Sequence, residues 1–128
     1  MNITIIGTGY VGLVTGACFA EMGNQVTCVD IDHEKISSLN KGIVSIYEPG
    51  LEELVRSNLD AARLSFTSSL PKAMKSSNLS LIAVGTPESP NGAADMEYVY
   101  NVAKEIGINL DSESVIVNKS TDRKRVVE

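Results

Sequence analysis

The residues best suited to chemistry stand at the start of the chain. In "ITIIGTGYVG", residues 3–12, an apolar run breaks into Gly7, Gly9 and Gly12. The spacing is G-x-G-x-x-G without insertion, and it falls between a strand-like run and a helical stretch, the setting in which the pattern carries a mechanism. The first glycine permits a tight turn, the second lets backbone approach a pyrophosphate, and the third lets a helix pack closely on a strand. A helix that begins near Tyr10 offers unpaired N–H groups and the positive end of its dipole to the phosphates. That dipole contributes only about 0.3–1 kcal/mol at an exposed site and about 2 kcal/mol when partly buried, so it places a ligand more than it holds it.

Asp30 supplies the next contact. It stands 18 residues beyond Gly12, at the end of the β-branched run "QVTCVD", where a carboxylate can accept hydrogen bonds from both hydroxyls of an adenosine ribose. A plain strand-end carboxylate is the alternative, and the glycine pattern decides for the ribose. The pair predicts NAD. A 2′-phosphate about 4 Å from this carboxylate meets a repulsion of about 1 kcal/mol in water and about 4 kcal/mol at an effective dielectric of 20, so NADP should bind worse. Asp32 suits a helix cap, and Lys35 sits one turn further on, which leaves its reach to the ribose open. Thr86 in "VGTP" (84–87) and Thr121 in "KST" (119–121) end the fourth and fifth apolar runs, where ligands of open α/β sheets gather. For Gly85-Thr86-Pro87 a simple strand exit remains the other reading.

These residues need a particular scaffold. Residues 2–6 read as a strand, and Val11, Val14, Cys18 and Met22 recur at helical steps, which predicts a helix laying that face on a core. Gly23-Asn24 stops it and residues 25–30 form the next strand, completing a βαβ unit. Asp32 caps a helix to about Asn40, residues 42–50 form a loop closed by Pro49-Gly50, and a second amphipathic helix buries Leu51, Leu54, Val55 and Leu59. A strand at residues 63–67, a short helix at 70–75 and the most apolar strand, 79–85, follow. Asp95 then caps a long helix through Met96, Val99, Ala103, Ile106 and Leu110, ahead of a fifth strand from Ser114. Alternating strands and helices predict a single-domain α/β fold of the Rossmann type, a doubly wound parallel sheet covered on both faces, over residues 1–121, with 122–128 as a charged tail. Five strands, one short of the usual six, leave a sheet edge exposed, which predicts self-association.

Composition narrows the partners. The chain has 128 residues, 43% of them apolar, and a net charge of −5, so it lacks the basic excess that a nucleic-acid partner demands. No Lys or Arg precedes Lys35, and the first apolar stretch is broken by Gly and Thr, which predicts neither signal peptide nor membrane span and a cytoplasmic location. In that reducing setting Cys18 and Cys28 are expected to be small buried hydrophobes without a disulfide. A single His and scattered Cys give no metal site.

The sequence also resembles the UDP-glucose/GDP-mannose dehydrogenases, NAD-dependent enzymes that oxidise the primary alcohol of a sugar nucleotide to a carboxylate. The resemblance is carried by "GTGYVGLVTGACFAEMGNQVTCVDID" from Gly7, "IYEPGLEEL" from Ile46, "AVGTP" from Ala83, "AADMEYV" from Ala93 and "VNKST" from Val117. "IYEPGL" and "KST" are most similar to the UDP-glucose branch, although spacing alone gives the first no physical role beyond a loop feeding a helix. The resemblance implies that Val11 lies against the pyrophosphate, that Asp30 and Lys35 bind the ribose, and that Thr86 and Thr121 contact the nicotinamide side.

After Thr121 the chain reads "DRKRVVE", where the family carries a turn built on Pro and Gly. The family's catalytic Cys, Lys, Asn and Asp lie in later segments, so the resemblance implies a truncated chain that lacks the central and substrate domains. Such a chain binds NAD without turnover and meets UDP-glucose only as part of the full-length enzyme. No catalytic residue is expected within these 128 residues. Oxidation of an alcohol to an acid needs two hydride transfers with a tetrahedral adduct between them, and a thiolate supplies that adduct. A stand-alone nucleotide-binding regulatory module is the alternative.

Overall fold

The computed structural model describes residues 1–75, 77–83 and 115–118, together with 104 and 107. Its elements are β1 (Asn2–Ile6), α1 (Tyr10–Glu21), β2 (Gln25–Val29), α2 (His33–Asn40), α3 (Leu51–Asp60), β3 (Leu64–Thr67), α4 (Leu70–Met74), β4 (Leu79–Ile82) and β5 (Val115–Asn118). The strands form one parallel sheet in the order β3-β2-β1-β4-β5. The expected α/β class and five strands are therefore present. The helix expected from Asp95 lies outside the described residues except for Lys104 and Gly107, both helical.

Strand side chains alternate, so each face of the sheet builds its own core. On one face Ile3 and Ile5 of β1, Val26 and Cys28 of β2, Leu64 and Phe66 of β3 and Leu81 of β4 pack with Leu13, Ala17 and Ala20 of α1 and Leu51 and Val55 of α3. On the other, Ile6, Val29 and Ile82 meet Leu70 and Met74 of α4. A registered row of hydroxyls, Ser65-Thr27-Thr4-Ser80, crosses that second face. Buried Thr4 donates to the carbonyl of Ala73 in α4 at 3.1 Å, so the polar row ties the short helix down.

The expected face of α1 is the one clear error of pattern reading. The buried residues are Gly12, Leu13, Gly16, Ala17 and Ala20, whereas Val11 is 44% exposed, Met22 75% exposed, Cys18 exposed and Val14 only partly buried. Close packing of helix on sheet explains the reversal. A Cβ on Gly16 would lie 2.8 Å from the Cys28 sulfur, so the inner face is tight at that point, and Leu13 is the one large apolar residue of α1 that it buries. Cys28 is the buried hydrophobe expected of it; Cys18 is not. The face of α3 follows its pattern, with Leu51 and Val55 buried and Leu54 and Leu59 packed at the rim.

The far end of α1 is closed by the chain itself. The N–H groups of Met22, Gly23 and Asn24 return to Cys18, Ala20 and Phe19, with Gly23 at φ 102°. Arg63 Nε donates to the Ala20 carbonyl at 2.9 Å and to Oδ1 of the fully buried Asn58 at 3.1 Å, and Asn58 Nδ2 donates to Glu21 at 3.0 Å. A cation at a helix C-terminus complements the dipole, which holds α1 with its other end toward the glycine turn.

Candidate functional site

The glycine turn follows β1 and opens directly into α1, as its spacing requires. Gly7 takes φ 108°, a conformation few side chains tolerate, and its N–H donates to the Val29 carbonyl at 2.7 Å, which ties the turn to β2. A Cβ on Gly12 would lie 2.0 Å from the Gly7 carbonyl oxygen, so Gly12 is what allows the helix to start this close to the strand.

Gly9 differs. It caps α1 at φ −74°, and a Cβ there would meet nothing within 4 Å. Its smallness therefore serves no packing within the described residues and leaves open room in front of the helix. The cap makes no side-chain hydrogen bond and the first turn holds no acidic residue. Among the described residues no side chain caps the first turn, which leaves its N–H groups available to an external acceptor, with Tyr10 and Val11 exposed beside them.

Asp30 follows β2 immediately, one strand over at the same end of the sheet. Its carboxylate is 16% exposed. Oδ2 accepts from the Thr8 N–H at 3.1 Å and the Thr8 hydroxyl at 2.6 Å, and Oδ1 accepts from the Asp32 N–H at 3.1 Å. Burial works to raise its pKa, but the hydrogen bonds from Thr8 and Asp32 and the charge of Lys35 outweigh it, and the group is held below its ordinary 3.8. Asp32 caps α2 as expected, accepting from the N–H groups of Glu34 and Lys35 at 3.1 Å each. That cap fixes the first turn of α2 and sets Lys35 Nζ 3.7 Å from Asp30 Oδ2, the proximity its spacing had left open.

The structure thus brings Gly7, Gly9, Tyr10, Val11, Gly12, Asp30 and Lys35 to one end of the sheet. Thr86 and Thr121 lie outside the described residues. Two residues at this end escaped the sequence reading. Thr8 is fully buried and joins the glycine turn to Asp30, a contact across 22 residues that no local period announces. Its one signal is a hydroxyl inside the glycine pattern. The Glu48 carboxylate lies near enough to the Tyr10 phenol to raise its pKa above 10.0. The segment containing "IYEPGL" therefore has a physical role, since it carries Glu48 to the mouth of α1 and then turns through Gly50, at φ 82°, into α3.

The donor set fits a dinucleotide. Among the described residues, open space at Gly9 before helix N–H groups that no side chain caps suits a pyrophosphate, and an ionised carboxylate beyond it suits a ribose diol. Among the described residues no group of three His, Cys, Asp or Glu is placed to hold a metal ion. Among them, too, no helix is long and apolar enough to cross a membrane.

Comparison with known proteins agrees with this geometry. The family model for the UDP-glucose/GDP-mannose dehydrogenase family, NAD binding domain, matches residues 1–127. The chain is 56% identical over 120 residues to the UDP-glucose 6-dehydrogenase TuaD of Bacillus subtilis, covering 94% of this chain and 26% of that protein. It is 52% identical over 121 residues to the UDP-glucose 6-dehydrogenase of Pseudomonas aeruginosa, covering 94% and 27%. Among solved structures, a GDP-mannose dehydrogenase from Pseudomonas aeruginosa superposes with a TM-score of 0.90 at 41% identity over 94% of this chain and 28% of that one. The chain thus spans about a quarter of the length of these relatives. Sequence and fold agree across nearly all of its residues, and the chain belongs to the UDP-glucose/GDP-mannose dehydrogenase family, to the part of it that binds NAD.

Proposed function

We propose that this chain is the NAD-binding portion of a UDP-glucose 6-dehydrogenase, which oxidises UDP-glucose to UDP-glucuronate, and that the 128 residues alone bind NAD without turning over the sugar. The observation that carries the substrate is identity of 50–56% to UDP-glucose 6-dehydrogenases across 94% of the chain. Bound NAD supplies the hydride acceptor. The chain's own part is binding: N–H groups at the start of α1 orient the pyrophosphate, Asp30 accepts from the adenosine ribose, and Lys35 donates beside it. Ile31, 71% exposed next to Asp30, offers an apolar surface to the base.

Thr86 and Thr121 are assigned to the nicotinamide side on the strength of the motifs in which they stand. Two features support the absence of turnover. The Cys28 thiol is buried and pushed up to about 12, and Cys18 lies in the last turn of α1, away from the glycine turn, so neither is set to form a covalent adduct. Self-association is proposed from Val115 and Ile116, exposed on β5 at the rim of the described sheet, and a cytoplasmic location from the composition.

Calorimetric titration of the 128-residue chain tests the reading. NAD should bind in the range of about 10 μM to 1 mM, NADP more weakly, and UDP-glucose with no heat. An Asp30→Ala variant should weaken NAD. Steady NADH formation from UDP-glucose by this chain would overturn the inactive half of the proposal, and absence of NAD binding would overturn the other.

A further inference from the structure

We propose that Thr8 is a positioning residue for the ribose acceptor: its hydroxyl and its N–H together hold Asp30 Oδ2 and leave Oδ1 as the oxygen that takes a ribose hydroxyl. The proposal rests on the NAD reading above and adds to it which atom recognises the sugar and what aims that atom. Thr8 is fully buried, so its hydroxyl needs a partner, and the partner it has is a carboxylate oxygen at 2.6 Å. Its N–H reaches the same oxygen at 3.1 Å. A carboxylate oxygen has about two lone-pair sites, and the two Thr8 donors fill those of Oδ2. Lys35 Nζ, 3.7 Å away, adds charge at a distance beyond a hydrogen bond. Oδ1 accepts only the Asp32 N–H among the described residues and keeps a second site for a ligand.

Thr8 belongs to the glycine turn, and Asp30 to the end of the neighbouring strand. One side chain therefore sets the pyrophosphate cradle and the ribose acceptor in register with each other. Among the described residues the charge acting on Asp30 is that of Lys35 on α2, whereas Thr8 from the turn and Asp32 from the segment before α2 act on it by hydrogen bonding. Removing the Thr8 hydroxyl while keeping Lys35 isolates the positioning effect.

The test uses the whole chain with Thr8→Val and Thr8→Ser, each alone and combined with Asp30→Asn. NAD affinity is read by calorimetry, and the Asp30 carboxyl is titrated by carbon NMR without ligand. Thr8→Val should weaken NAD by about tenfold and move the Asp30 midpoint upward, and Thr8→Ser should restore both. In the Asp30→Asn background Thr8→Val should cause no further loss, because the two residues act as a unit.

An equal loss in both backgrounds, or an Asp30 midpoint that does not move, would overturn the proposal. Should Thr8→Val not fold, Thr8→Ala removes the hydroxyl without adding bulk and is read the same way. If the unaltered chain binds no NAD, the reading under Proposed function fails, while the ligand-free titration still decides whether Thr8 governs Asp30.

Discussion

The first two helices begin in opposite ways. α2 closes its own N-terminus, since Asp32 takes the N–H groups of Glu34 and Lys35. α1 starts from Gly9, with no side chain to cap it and no acid in its first turn. Both helices face the same shortage of acceptors, and a Ser, Thr, Asn or Asp cap stabilises a helix by about 0.5–2 kcal/mol over Ala. The chain takes that stabilisation at α2 and forgoes a side-chain cap at α1. A carboxylate at residue 9 would occupy the donors that an anionic ligand needs, so under the proposed function the weaker start is the one that binds.

Substitutions can break this contrast in a graded way. The largest effect is expected from Gly12→Val, whose Cβ would overlap the Gly7 carbonyl at 2.0 Å. Thermal unfolding should show a loss of about 3 kcal/mol or more, the upper end for overpacking, because backbone cannot move aside as a side chain does. Gly9→Asp should erase the contrast itself. Its Cβ meets open space and its backbone already has a cap's extended conformation, so stability should hold or rise, while calorimetry should show NAD weakened by about 100-fold through repulsion of the pyrophosphate.

Asp32→Ala opens α2 to match α1. A loss of about 1 kcal/mol is expected, seen as a melting temperature lower by about 3–6 °C. A smaller effect should come from acid. Asp30 is held below 3.8 in the folded chain, so the folded state favours its ionised form. The stability it contributes is complete above that value and lost as pH falls through the lower folded value. Melting temperatures followed from about pH 5 to about pH 2 should fall less steeply in Asp30→Asn than in the unaltered chain.

What the sequence disclosed about this contrast depended on how local each cause is. The Gly9 cap without a side-chain bond, the closed cap at Asp32 and the strand-end position of the Asp30 carboxylate are set by residue type and short spacing. The inner face of α1 departs from the expected apolar period because four of its five buried residues, Gly12, Gly16, Ala17 and Ala20, are small and carry little hydrophobic signal beside Leu13. Thr8 and Glu48 were invisible for a different reason. Each meets its partner across a fold that had first to bring two distant segments together, Thr8 to Asp30 and Glu48 to Tyr10. The hydroxyl row Ser65-Thr27-Thr4-Ser80 likewise exists only once four strands are in register.

The close seating of α1 also gives the chain a chemical clock. Its two cysteines lie on the two sides of that contact, Cys18 on the outer surface of the helix and Cys28 on the strand beneath Gly16. A reagent that captures thiolates should mark Cys18 promptly. Cys28, its thiol pushed up to about 12, should react only in the moments when the helix lifts from the sheet. The delay between the first and second modification then counts those openings, and its lengthening as NAD is added would show how firmly a ligand bound at one end of the helix clamps its whole length.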